Sequence, residues 1–347
     1  MRHVVIHRPG GHDRLQIETA PDPKPDEGEV VVESAAIGVN YADCIVRMGL
    51  YESAKKYVGW PITPGFEVAG TVCTVGERVH DVRPGARVIA VTRFGGYASH
   101  VRVPRDQLFR MPSGLSFAQA AAIPAVFLTA HYALFDLAAA RPEHRLLVHS
   151  AAGGVGGALL QLARIAGCRA VGVVGASHKV DAARRAGATA VIDKSTEDLW
   201  RMARRHAPDG YDAIFDANGV STLGESWRHL ASPGRLVVYG FHSMLPRRSG
   251  RPDWAKLAID WLRTPRFNPI DMTNANKSVM AFNLSYLFER KAMLVPALEQ
   301  VLAWFEEGKL AAPPITEYAL DDVVRAHAAI ESGQTVGKLV LVPRQMR

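Results

Sequence analysis

RLLVHSAAGGVGGALLQLARIAGC, residues 145–168, carries an apolar run into a glycine-rich turn and out along an amphipathic segment. Leu146, Leu147 and Val148 suit a short strand covered on both faces, and Leu159, Leu160, Leu162, Ala163 and Ala166 then recur at helical spacing. Between them Ala151, Gly153 and Gly156 keep the G-x-G-x-x-G spacing with alanine in first place. Gly153 lets a pyrophosphate approach the backbone, Gly156 lets helix and strand pack closely, and the helix N-terminus offers N–H donors at the positive end of its dipole. Ala152, Gly153, Gly154, Val155 and Gly156 are therefore the expected cradle of a dinucleotide.

The next strand, Ala170 to Val174, ends in GASHK. An NAD-type site usually carries an acidic residue there, bonded to the ribose 2′-hydroxyl. Gly175 stands in its place, so nothing repels a 2′-phosphate, and Ser177 and Lys179 can donate to one. The expected coenzyme is NADPH rather than NADH. Ser177 equally suits capping of the following helix, VDAARRAGA, with Lys179 a solvated first-turn residue.

Outward from this turn, strands and helices alternate through AVGVVG, ATAVID, YDAIFDAN and GRLVVYG to SVMAFNL, the rhythm of a doubly wound parallel sheet of six strands. Phe241, Asn283 and Leu284 follow the fifth and sixth strands, with Gly240 beside the first of them, at the carboxyl edge where ligands bind in such sheets. The residues before about 124 read instead as strands broken by Pro and Gly turns, VVIH, GEVVVESAAIGVN, GFEVAGTVCTVG, ARVIAV and YASHVRVP. A helix is expected from Pro124 to Ala140. The tail offers a helix near Pro296 to Glu307, a strand ITEYAL, a helix from Asp321 to Ser332 and a last strand KLVLV. An α/β chain of two domains follows, one β-rich and one a parallel six-stranded sheet.

Length and composition agree with that division. The 347 residues are enough for two domains, and 48% hydrophobic with 22% charged residues describes an ordinary globular protein. Three cysteines, Cys44, Cys73 and Cys168, are widely spaced with no C-x-x-C, which points to a reducing, cytoplasmic setting. MRHVVIHRPGG lacks the apolar core of a signal peptide, and the most lipid-like run, AAAIPAVFLTAHYALFDLAAA, contains Pro124, His131 and Asp136, so a buried helix is expected there rather than a membrane span.

The net charge of +7 fits an anionic cofactor, nucleic acid or an anionic membrane surface, and charge alone does not choose among them. The densest basic patch, PRRSGR at 246–251, precedes a segment in which Trp254, Leu257, Ala258, Trp261 and Leu262 fall on one helical face. That stripe is expected to pack within the protein; a lid, a dimer contact or an interfacial helix are its other readings. Nucleic acid or a membrane surface is the less favoured partner for the 247–267 region.

GVNYADCIVRMGLY (38–51), PGFEVAGTV (64–72), FGGYASHVRVP (94–104), LTAHYAL (128–134), HSAAGGVGGALLQLA (149–163), AGATAVID (186–193) and the terminal VGKLVLV resemble, in order, the motifs of medium-chain dehydrogenases/reductases. Within that superfamily the chain resembles the zinc-independent quinone oxidoreductases of the zeta-crystallin type, in a branch similar to the vesicle amine transport protein homologues. The resemblance implies a GroES-like catalytic domain formed by 1–124 with 285–347, a Rossmann domain over 125–284, and a homodimer paired through the last sheet strand. Where zinc enzymes of the superfamily carry their catalytic ligands, this chain has Asn40, Phe66 and Ala125, so no metal is expected.

Without a Lewis acid, the implied chemistry is NADPH-dependent hydride transfer to quinones or α,β-unsaturated carbonyls, with reduction of an enoyl thioester or alkenal as an alternative. A protein that binds NADPH but serves RNA or a membrane surface is the reading from another class. The resemblance places Asn40, Asp43 and Tyr51 at the substrate and Thr129 at the nicotinamide. Asn40 can donate to a developing oxyanion, and Tyr51 can bond or protonate a substrate oxygen. Asn40 and Asp43 equally suit backbone bonding in a turn, and Tyr51 suits packing.

Overall fold

The computed structural model describes residues 1–246 and 250–343. The chain divides into two compact units: Met1–Ala125, Arg247–Arg251 and Ser285–Arg347 form one, Val126–Pro246 and Pro252–Leu284 the other.

In the second unit six strands pair side by side, all parallel, in the order Ala190–Asp193, Arg169–Val174, Arg145–Val148, Tyr211–Asp216, Leu230–Val238, Lys277–Ala281. Numbered by sequence this is third, second, first, fourth, fifth, sixth, the doubly wound Rossmann arrangement. Leu146, Leu147 and Val148 are fully buried. Helix Gly154–Ile165 buries Leu159, Leu160 and Leu162, and a core cluster of Leu147, Val171, Ile192, Ile214 and Leu236 joins the strands to Ala203 and Leu223 of two helices. Burying each large aliphatic side chain is worth about 1.5–3 kcal/mol. Reversal of strand order beside Arg145–Val148 leaves a crevice at the carboxyl ends, where the glycine-rich turn emerges.

The first unit is GroES-like. Its main sheet runs Ile315–Ala319, Lys338–Val342, Glu29–Val39, Glu67–Val75, Arg87–Val91, Leu108–Arg110, with His100–Pro104 also pairing Glu29–Val39. Only the Ile315–Ala319 and Lys338–Val342 pair is parallel. Leu339 opposite Val39 and Val68 opposite Ile37 bring the first residues of two strands, Lys338 and Glu67, to flank the end of the central one. Asn40 follows immediately and opens helix Tyr41–Arg47.

Three helical expectations need correction. Pro124–His131 is α-helical, but the turn Tyr132–Leu137 is a π-helix, a widening that no residue in the sequence announces. The helix expected from Pro296 starts at Lys291, and Pro296 sits inside it at the loss of one ladder bond. The stripe expected to face the core does not: in helix Trp254–Arg263, Trp254, Trp261 and Leu262 are 68%, 65% and 69% exposed. The helix is tethered by its polar residues instead, because the Lys256 ammonium bonds the Ser243 carbonyl and Asp260. Arg247 and Arg248 lie outside the described residues. Among the described residues no helix is long and apolar enough to cross a membrane.

Candidate functional site

Every predicted coenzyme residue falls in the second unit, most of them just beyond strand ends. Ala152 and Gly153 follow the first strand, and Gly153 is the N-cap of helix Gly154–Ile165. A Cβ on Gly156 would stand 2.3 Å from the Ser150 carbonyl oxygen, so only glycine permits that approach; on Gly153 the same oxygen would be 3.3 Å away. Gly240 and Phe241 follow the fifth strand, and Asn283 and Leu284 the sixth. Thr129 lies half-buried in helix Pro124–His131.

The turn is braced from a strand away. Ser150, at its head, takes a left-handed backbone conformation with φ 55°, unusual for a side-chain-bearing residue. Its hydroxyl donates to Asn218 Oδ1 at 3.2 Å. Fully buried Asp216, ending the fourth strand, accepts the N–H groups of Asn218 and Gly219 and the hydroxyls of Thr222 and Ser226, at 2.7 to 3.1 Å. The sequence reading missed Asp216. Its signal was a carboxylate closing the apolar strand YDAIFD.

Beyond the second strand, Gly175 leads to Ser177 and Lys179 as expected. Ser177, however, gives its one proton to Asp193 at 2.6 Å, and Ser195 donates to the same carboxylate from both hydroxyl and backbone. These bonds, Ser177's above all, hold the Asp193 carboxyl below the usual carboxylate range. Ser177 is thus neither the helix cap nor, in this arrangement, a donor to a phosphate. Lys194 supplies an additional cation beside the strand end: its Cε lies 3.5 Å from where a Cβ on Gly175 would stand. Lys194 was not among the coenzyme residues expected from the sequence.

The predicted catalytic residues all lie in the first unit, and they separate there. Asn40 Nδ2 donates to Glu67 Oε1 at 2.8 Å, while the Lys338 ammonium bonds both Asn40 Oδ1 and Glu67 Oε1, the latter at 2.7 Å. The Ala125 N–H completes the cage on Glu67 Oε2 at 2.7 Å. Glu67 is fully buried and Lys338 is 3% exposed. A Cβ on Gly38 would come within 2.4 Å of both Glu67 Oε1 and the Ala121 carbonyl, so glycine makes the room this carboxylate occupies. The ammonium draws electron density from the Asn40 carbonyl and strengthens the amide N–H groups as donors.

Asp43 turns the other way. It is fully buried and accepts bonds from the Asn40 and Gly65 N–H groups and the Tyr97 hydroxyl, at 2.8 to 3.0 Å. Burial pushes its carboxyl up to about 7 against the pull of these donors. Its place is the turn-bonding one, holding the Asn40 corner to the Gly65 loop. Tyr51 packs edge-on against Phe66 and Phe94, with centroids 6.0 and 6.4 Å apart, and Phe66 and Phe94 are 5.4 Å apart. This half-buried aromatic group suits a flat, apolar substrate.

The positions that hold the catalytic metal in zinc enzymes of the superfamily do not fit one here. Phe66 and Ala125 carry no donor, and the Asn40 amide is engaged by Glu67 and a buried ammonium. Among the described residues, the one group of His, Cys, Asp and Glu side chains close enough to share an ion is Cys44, His327 and Glu331, all buried. There Glu331 is already paired with the buried Arg47 guanidinium at 2.8 Å and with His12 at 3.1 Å.

Comparison with known proteins agrees with this architecture. A family profile described as "Alcohol dehydrogenase GroES-like domain" matches residues 26–113, and one described as "Zinc-binding dehydrogenase" matches 186–341. The rat synaptic vesicle membrane protein VAT-1 homolog is 32% identical over 347 residues, covering 99% of this chain and 84% of its own. Escherichia coli quinone oxidoreductase complexed with NADPH superposes with a TM-score of 0.84 at 28% identity, covering 99% of this chain and all of that one. The CurK enoyl reductase superposes with a TM-score of 0.85 at 25% identity, covering 99% of each chain. The chain belongs to the quinone oxidoreductase-like family of the medium-chain dehydrogenases/reductases, a family of oxidoreductases, with the VAT-1 homologues among its relatives.

Proposed function

We propose that the protein is an NADPH-dependent reductase that delivers hydride to quinones or α,β-unsaturated carbonyl compounds without a catalytic metal. The observation that carries this reading is the Asn40–Glu67–Lys338 network, which ties up Asn40 at one of the positions where zinc enzymes carry a ligand, while Phe66 and Ala125 at the others have no donor. NADPH, when bound, supplies a hydride from its nicotinamide C4. Gly153 and Gly156 admit its pyrophosphate to the N-terminus of helix Gly154–Ile165. Lys179 and Lys194 hold the 2′-phosphate. With one amide hydrogen given to Glu67, Asn40 Nδ2 keeps a second for the substrate oxygen that gains charge as hydride arrives. Tyr51 bonds or protonates that oxygen, and the Tyr51, Phe66 and Phe94 rings orient a flat acceptor. Acceptors that already take hydride well need no stronger electrophile.

Reduction of an enoyl thioester is the second reading, favoured by the structural likeness to the CurK enoyl reductase. We place the protein in the cytoplasm as a homodimer. Lys277–Ala281 is the edge strand of the six-stranded sheet, and a second copy would pair with it. The test follows NADPH and NADH oxidation with a panel of quinones, enones, enoyl thioesters and simple aldehydes after chelator treatment. NADPH turnover with quinones, enones or enoyl thioesters should survive; chelator-sensitive turnover of aldehydes alone overturns the proposal.

A further inference from the structure

Helix Trp254–Arg263 reverses the usual order of a surface helix, with polar residues toward the protein and apolar ones toward solvent. On the inner side the Lys256 ammonium bonds the Ser243 carbonyl and the Asp260 carboxylate. Asp253 caps the N-terminus by accepting the Lys256 N–H at 3.0 Å, and the Thr264 hydroxyl donates to the Asp260 carbonyl at 2.9 Å beyond the other end. The opposite side carries no polar side chain. At about 100° per residue, Trp261, Trp254, Ala258, Leu262, Ala255 and Ile259 follow one another around an arc of roughly 160°. All six are exposed, and Trp254, Ile259, Trp261 and Leu262 each keep more than half of their surface in solvent. Single apolar side chains at a surface are ordinary, whereas a contiguous face holding two tryptophans, a leucine and an isoleucine marks a contact with something else.

Charge selects the occupant. Arg263 ends the helix at the border of the arc and Arg266 follows it; both are exposed, and among the described residues neither has a carboxylate partner. The two carboxylates of the segment are committed, Asp260 to Lys256 and Asp253 to the helix cap. Just before the helix the sequence adds Arg247, Arg248 and Arg251, so residues 247–266 hold six cations against two carboxylates. A short helix with a wide apolar face, tryptophans on that face and arginines at its border suits the headgroup region of an anionic bilayer, rings at the acyl boundary and guanidinium groups at the phosphates. A second copy of the chain suits it less well. In a two-fold pair the same patch meets itself, and Arg263 and Arg266 of each copy approach like charge.

We propose that this helix seats the protein on an anionic lipid surface, with Trp254, Ile259, Trp261 and Leu262 entering the bilayer interface and Arg263 and Arg266 meeting lipid phosphate. The surface uses no residue assigned to coenzyme or substrate and stands whether or not the proposed reaction is the right one. Co-sedimentation of the full chain with vesicles measures the partition. Equimolar phosphatidylserine and phosphatidylcholine should bind the protein at least about tenfold more tightly than phosphatidylcholine alone, and added salt should shrink that preference. Trp254→Ser with Trp261→Ser should lower the partition onto the anionic vesicles at least about tenfold. Arg263→Glu with Arg266→Glu, which removes no apolar residue, should do the same. Absence of the protein from the anionic vesicle pellet, equal partition onto the two kinds of vesicle, or an unchanged partition in either double variant overturns the proposal. So does a fall in the mass of the tryptophan variant by light scattering, which would give the face to a second copy of the chain.

Discussion

Glu67→Gln keeps the shape of the side chain and removes the charge that balances Lys338. In the folded chain the Lys338 ammonium is 3% exposed and meets one anion, Glu67 Oε1 at 2.7 Å, with Asn40 Oδ1 as its second acceptor. Two neutral acceptors remain in the variant, and the ammonium has no water to replace the lost charge. Removing one partner of a fully buried pair costs about 3–5 kcal/mol. At about 2–4 °C per kcal/mol for a domain of this size, Tm should fall by roughly 6–20 °C. Lys338→Met costs less, because Glu67 keeps the N–H donors of Asn40 and Ala125. Combining Glu67→Gln with Lys338→Met removes both charges and should recover much of the loss, leaving a coupling of about 2 kcal/mol or more. Thermal unfolding of the four proteins by circular dichroism measures the cycle. A Glu67→Gln shift of only a degree or two, with additive losses in the double variant, would refute the view that this pair holds the Asn40 corner together.

Further outcomes follow from the same geometry. Gly156→Ala should fold poorly or lose NADPH affinity at least about tenfold, while Gly153→Ala, whose Cβ meets nothing closer than 3.3 Å, should fold normally; fluorescence titration and thermal unfolding compare them. Lys179→Ala with Lys194→Ala should cut the preference for NADPH over NADH about tenfold or more, read as the ratio of kcat/KM values, with NADH kinetics little changed. Burial pushes the Asp43 carboxyl up to about 7 in the fold against about 3.9 in the unfolded chain, so the folded state binds more protons between those values. Stability should therefore decline as pH rises from about 4 to 7 and level off above, and Asp43→Asn should flatten that slope in Tm measured across the range.

The second unit was legible because its signals are local. An apolar strand, a glycine turn and a helix lie within 24 consecutive residues, and each following strand repeats the rhythm. The Glu67–Lys338 pair was not, because its members are 271 positions apart and meet only through the register of three strands. A trace existed: both are charged residues at the head of apolar strands, GFEVAG and VGKLVLV, and a buried charge needs an opposite one. Asp43 and Ser177 were singled out for substrate and coenzyme, but their hydrogen-bond partners, Tyr97 and Asp193, are set by tertiary contacts that no local pattern announces. The stripe of Trp254, Trp261 and Leu262 shows the limit of periodicity, which identifies an amphipathic helix without saying which face meets the protein.

The central claim is hydride delivery from NADPH to an electron-poor carbon or carbonyl, and isotope transfer tests it most directly. NADPH carrying deuterium at either the pro-R or the pro-S position of C4 is mixed anaerobically with the protein, after chelation, and an α,β-unsaturated ketone. Mass spectrometry then locates the label. The account predicts deuterium at the β-carbon of the reduced ketone from one of the two labelled coenzymes and none from the other. Failure of both to be consumed, by the ketone and by a quinone alike, would contradict it.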